Sequence, residues 1–303
     1  MPRSRIEVLR LTTVLACLAL ATSRVGLVAH ELVGHGGTAL ALGGRITEVR
    51  LFWFAGGWVR YDMPGLSLAG AIAVAMGGIA VELACGTAIL LLARGDTLSR
   101  RLVRGIGAAL VLHGSWYLAT GAWSGYGDGQ ILYVALGGWR YVVAIAAGAI
   151  TCTAAFVGAR AVFGALAGAV PEHRIAGVIV AVVVAAGLNL GLALGELHVR
   201  RDRAYTVMMQ PQHVRTVARE LAAWTREQGS AVDDAAVAAQ RAKLEDEHRT
   251  FPFAWLLAAC TAIAAFGGAR RSRLGEPAVL PVRAAAFAAA ISIGGVIALS
   301  YVL

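Results

Sequence analysis

Seven apolar runs, each long enough to cross a bilayer, leave this chain few ways to fold. They extend over Leu11 to Leu42, Leu66 to Ala93, Ile106 to Leu132, Trp139 to Leu166, Ile175 to Leu197, Phe253 to Ala269 and Val282 to Val302. In hydrocarbon every backbone N–H and C=O has to be satisfied within the protein, and a run of about 20 apolar residues does so as a helix. A hydrophobic fraction of 58% with only 15% charged residues excludes an ordinary soluble globule. The expectation is an all-α polytopic membrane protein, integral to a prokaryotic cell membrane, with the lipid bilayer as its surroundings. Its 37 glycines allow helices to approach closely through small residues. The net charge of +9 is carried by arginines scattered among short loops, a topology signal, and no nucleic-acid partner is expected.

Charges inside such runs are expensive and usually functional. The sequence Ala29-His30-Glu31-Leu32-Val33-Gly34-His35-Gly36 places three ionisable side chains at the end of the first run. Two imidazoles flanking a carboxylate on one helix can build a zinc site with its own general base, as H-E-x-x-H does. There the histidines are four apart, about 40° around a regular helix, so both reach one ion. His30 and His35 are five apart, which a regular helix turns to about 140°. Two solutions close the gap: a one-residue π-bulge near Val33 or Gly34, or a regular helix in which Glu31 and His35 are the facing pair.

Arg3, Arg5 and Arg10 before the first run imitate the basic start of a signal peptide, but the apolar pattern continues past Arg24 to Leu42, so a retained first span is the better reading. Gly43-Gly44 ends it, and residues 45–61 then turn rich in β-branched and aromatic residues about Gly56-Gly57, the signature of a β-hairpin. Glu82 is the one charge in the second run, either paired with Arg24 or facing a cavity. Arg94 to Arg104 reads as a basic loop. Nineteen helical steps from Leu11 to His30 cover about 28 Å, and twenty-two from Ile106 return Asp128 to the same face at about 33 Å. His113 lies about 22 Å before Asp128 along that helix and reads as a hydrogen-bonding or packing residue.

His30-Glu31 with His35 on a first core helix, then a hairpin and a span, then Asp128-Gly129-Gln130-Ile131-Leu132 on a third core helix, resembles the site-2 protease family of intramembrane zinc metalloproteases. The resemblance covers roughly Leu11 to Gly138. It implies that His30, His35 and Asp128 hold Zn²⁺, that Glu31 activates water, and that the partner is a membrane-protein or peptide substrate. The chain departs from the family pattern in the longer histidine spacing and in lacking an Asn-Pro element before Asp128-Gly129. Two rival readings are a non-catalytic metal-binding or regulatory protein of the same fold and a small-solute or ion transporter using Arg24, Glu82 and Asp128.

The chain divides into a metalloprotease-like membrane core over 1–138, spans four and five over 139–197, a polar segment over 198–250, and spans six and seven over 251–303. Pro171-Glu172-His173-Arg174 reads as a tight polar turn. Asn189 inside the fifth span is expected to hydrogen-bond between helices. In the polar segment one helix starting at Pro211 and another over 232–248 are expected to form a helical hairpin, with His198, His213 and His248 solvated. Cys17, Cys85, Cys152 and Cys260 fall in separate runs without ligand spacing and are expected to be buried, neither disulfide-bonded nor metal-bound.

Overall fold

The computed structural model describes residues 3–170, 174–228, 233–273 and 279–302. Among them, seven helices are long and apolar enough to cross a membrane, and the protein is an all-α polytopic membrane protein carrying one β-hairpin. The first span begins with α1 (Arg3–Val28), continues without a break through a π-helical stretch (Ala29–Gly36) and closes with α2 (Gly37–Ala41). Continuity from Arg3 through the motif makes this one membrane helix. It stops where Gly43 takes a φ of 81°, a left-handed turn that glycine adopts without strain.

The hairpin pairs β1 (Arg45–Leu51) with β2 (Gly57–Asp62) in antiparallel register, with an irregularity between Ile46 and Glu48. Its turn is the loop 52–56, closed by Phe52 N donating to Gly56 O at 3.0 Å; Gly57 already belongs to β2, so the turn lies earlier than Gly56-Gly57. Helices α3 (Leu68–Leu92), α4 (Leu98–Ser124), α5 (Gly129–Ala135), α6 (Trp139–Gly168), α7 (Arg174–Arg200), α11 (Phe253–Arg270) and α12 (Val282–Val302) complete the membrane part. Arg94 to Arg104 is not a loop throughout: Thr97 caps α4 by accepting from Arg100 N, so 98–104 is already helical. An apolar run alone cannot reveal this, because the first turns of a capped helix tolerate arginine. The polar turn expected at Pro171-Glu172-His173-Arg174 lies, up to Arg174 at the start of α7, outside the described residues.

Two groups of buried residues hold the helices together. Leu11, Leu102, Leu166, Val170 and Val178 join α1, α4, α6 and α7 at one end. Ala119, Ala122, Leu132, Ala144, Phe253 and Leu257 join α4, α5, α6 and α11 at the other. The π-helical stretch packs on α3 through glycine: a Cβ on Gly34 would strike the backbone of Gly78, so this crossing tolerates no side chain. Asn189 donates to Ala16 O at 3.3 Å, tying α7 to α1 as an interhelical hydrogen bond.

The polar segment holds α8 (Arg203–Met208), α9 (Gln212–Gln228) and α10 (Asp234–Glu247), with α9 and α10 packed together. The short α8 has no apolar period and is absent from the sequence expectation; it forms because Asp202 caps it, accepting from Tyr205 N at 2.9 Å. His248 is not simply solvated, since its Nε2 lies 2.8 Å from Glu220 Oε2 and joins α9 to the end of α10. The four cysteines are free, but none is fully buried: Cys17 and Cys152 are half-buried, and Cys85 and Cys260 are exposed. The latter two sit on outward helix faces, where a small apolar side chain meets the surroundings without penalty.

Candidate metal centre

The centre is built on the helix distortion that the histidine spacing demands. In the stretch Ala29–Gly36 the backbone hydrogen bonds skip five residues, as where Gly37 N–H reaches Leu32 O, and this stacks side chains five apart over one another. His30 and His35 therefore face the same way, with ring centroids 4.8 Å apart and planes at 79°. Both are buried, as is Glu31 between them. Of the two solutions to the spacing, the π-helical one is present.

Asp128 arrives from the other side. Helix α4 ends in Gly125 at φ 70°, Gly127 follows at φ 53°, and the chain turns sharply before α5. Both positions need left-handed backbone that glycine alone takes freely. Gly129 then nests against the backbone of Gly121 and Ala122, where any Cβ would clash. The turn is held from the polar segment: Gly127 N donates to Met208 O at 2.9 Å, and Arg215 donates to Gly125 O and, at 2.9 Å, to Gln130 Oε1. As a result Asp128 Oδ2 lies 2.9 Å from His30 Nε2 and 3.2 Å from His35 Nε2. Each of the three residues offers a ligand atom within 4.8 Å of the others. Asp128 N–H also donates to the Tyr117 hydroxyl at 3.3 Å.

The donor set suits a divalent ion that favours nitrogen and oxygen, such as Zn²⁺. His35 provides the test of fit. Its Nδ1 lies 2.7 Å from Val74 O, and a carbonyl can only accept, so the proton sits on Nδ1 and the Nε2 lone pair faces the cluster. This is the tautomer a metal-binding imidazole needs.

Glu31 lines a cavity of about 1070 Å³ that also meets His30, His35 and Asp128. The cavity runs between α1, α4 and α7 down to Leu15, Leu102 and Leu166, and its upper rim includes Trp58, Tyr61 and Tyr205. No hydrogen bond occupies the Glu31 carboxylate among the described residues. At the rim, burial and then the charge on Asp128 push the Tyr61 phenol above its ordinary pKa, and burial first raises that of Tyr205. Both hydroxyls remain proton donors at neutral pH.

Arg24 and Glu82 do not pair with each other. Arg24 donates to Phe52 O at 2.8 Å and to Ser23, while Glu82 meets His113 Nδ1 at 3.0 and 3.2 Å and faces His30 Nδ1 at 3.7 Å. His113 is thus a hydrogen-bonding residue, as its depth implies. The sequence did not foresee Glu196. Its carboxylate accepts from the backbone N–H groups of Trp53, Phe54 and Ala55 at 2.7, 2.6 and 3.0 Å, which fastens the hairpin loop to α7 beside the cavity. Scans against protein-family models and searches of curated proteins and of solved structures find no match to this chain.

Proposed function

We propose that the protein is a membrane-embedded zinc metalloprotease of the site-2 type, a prokaryotic cell-membrane enzyme that hydrolyses peptide bonds of membrane-associated substrates. The observation that supports it is the convergence of His30, His35 and Asp128 donor atoms beside an unengaged, buried Glu31 at the head of a long apolar cavity. Bound by those three residues, a zinc ion supplies Lewis-acid polarisation of a carbonyl and acidifies a water.

The rest of the chemistry belongs to the chain. Glu31 takes the water proton on its carboxylate and delivers it to the leaving amine, a general acid–base role worth about 10²–10⁴ in rate. The cavity below it binds apolar sequence flanking the scissile bond. The hairpin and the segment 202–215 roof the site, and the hairpin edge offers main-chain hydrogen bonds to an extended substrate.

Purified protein in detergent is expected to carry about one zinc per chain, lost in His30→Ala and in Asp128→Ala. Glu31→Gln is expected to keep the zinc and lose cleavage of a detergent-solubilised membrane peptide by about 10²-fold or more. Full cleavage by Glu31→Gln, or metal content indifferent to both ligand variants, overturns the proposal. Flux of small solutes in liposomes that survives chelation favours transport instead.

A further inference from the structure

The two imidazoles of the cluster are held from behind by the same face of one helix. On α3, Val74, Gly78 and Glu82 succeed each other at four-residue intervals, which aligns them along a single stripe. Val74 O accepts from His35 Nδ1 at 2.7 Å. Gly78 lies under the His30 ring, where a Cβ would strike Cδ2, Cε1 and Nε2. Glu82 Oε1 stands 3.7 Å from His30 Nδ1, an atom that is buried and has no hydrogen-bond partner.

The place of Glu82 is built for a carboxylate. Its side chain is 3% exposed, and it sits where α1, α3 and α4 cross. A Cβ on Gly114 would lie 3.1 Å from Oε2 and one on Gly26 3.7 Å from Oε1, so glycine on both neighbouring helices leaves room for the oxygens. His113 of α4 reaches both oxygens with Nδ1 and anchors the carboxylate from α4. Burying a carboxylate here without a purpose would be costly.

We infer that Glu82 is a positioning residue for the metal centre: it is the acceptor toward which His30 Nδ1–H points, it orients the ring so that the Nε2 lone pair faces His35 and Asp128, and it is itself held by His113. Glu82 then does for His30 what the Val74 carbonyl does for His35. A carboxylate behind a ligating imidazole also raises its basicity, and loss of such a partner weakens metal binding by about 10–100-fold. The inference rests on the metal reading above, and its test separates the two.

Co²⁺ and Zn²⁺ affinity of the full-length protein in detergent, measured by competition with a chelator, provides the readout together with the visible Co²⁺ bands. Glu82→Gln keeps the shape and loses the charge. It is expected to weaken binding about tenfold or more and to shift the Co²⁺ bands. His113→Ala leaves Glu82 in place but unanchored, so its affinity should fall between wild type and Glu82→Gln. A purely structural Glu82 lowers the melting temperature of metal-free and metal-loaded protein alike and leaves the bands unmoved. Wild-type affinity and bands in Glu82→Gln overturn the inference, and so do wild-type values in His113→Ala if Glu82→Gln does not fold. His30→Ala marks the other boundary: if it too binds Co²⁺ as wild type does, the metal reading fails, and the positioning role fails with it.

Discussion

Apart from Glu31 and Asp128 at the metal centre, two carboxylates covered inside the membrane part of this protein keep different company. Glu196 on α7 meets three consecutive backbone N–H groups of the hairpin loop and the Arg200 guanidinium at 2.7 Å. Glu82 on α3 meets two imidazoles, one of them in the His30, His35 and Asp128 cluster. Main-chain amides have no chemistry beyond donation, so a carboxylate that collects them fastens one segment to another. An imidazole has two nitrogens with separate roles, so a carboxylate on one of them governs what the other does. The nature of the partner, more than burial, separates a fastening from a functional contact.

The sharpest way to break that distinction is at Glu196. Glu196→Ala leaves three loop amides and the Arg200 guanidinium without their anion, and breaking a covered pair of this kind costs about 3–5 kcal/mol. The expected result is a lower melting temperature and faster hydrogen exchange at Trp53, Phe54 and Ala55, with metal affinity unchanged. Metal loss in this variant, with the fold intact, would merge the two roles. Next in size, Gly78→Ala touches neither carboxylate but pushes a methyl into the His30 ring. Overpacking of this sort costs about 1–3 kcal/mol, and here it should appear as weakened metal binding while the loop amides stay protected. The smallest effect belongs to Asn189→Leu, about two turns before Glu196. It removes the bond to Ala16 O, a loss of about 0.6 kcal/mol by the average of such contacts in membranes, and should alter neither metal affinity nor loop exchange.

What could be read from the residues follows the same division. The spans are legible because hydrocarbon forces each apolar run to satisfy its own backbone, and the π-helical stretch is legible as one of two ways to use the five-residue spacing, the one in which both histidines face together. Asp128 at the level of His30 follows from counting helical rise. The partners of Glu82 do not follow from any count: whether it meets Arg24 or His113 depends on how α3 and α4 are rotated against each other, and the Gly86 and Gly107 contacts that set this rotation appear only in the packed bundle. Glu196 was hidden for a different reason. Its partners are backbone amides, which every residue but proline carries, so no side chain in the loop advertises them. The start of α4 and the whole of α8 rest on single capping side chains, Thr97 and Asp202, in stretches that hydropathy marks only as polar.

The π-helical stretch carries an implication for how such a motif changes over time. Val33 is 61% exposed and contributes a position rather than a contact. Deleting that one codon yields His-Glu-Leu-Gly-His, with histidines four apart and aligned on an ordinary helix. The imidazoles then still converge, and because the wider π-helical turns absorb one extra residue, α2 and the hairpin after them keep nearly the same direction about the helix axis. The two spacings are therefore two ways of presenting the same ligand pair ahead of similarly oriented downstream segments. Passage between them requires a one-residue insertion or deletion that the helix absorbs locally, a route that substitutions alone do not open.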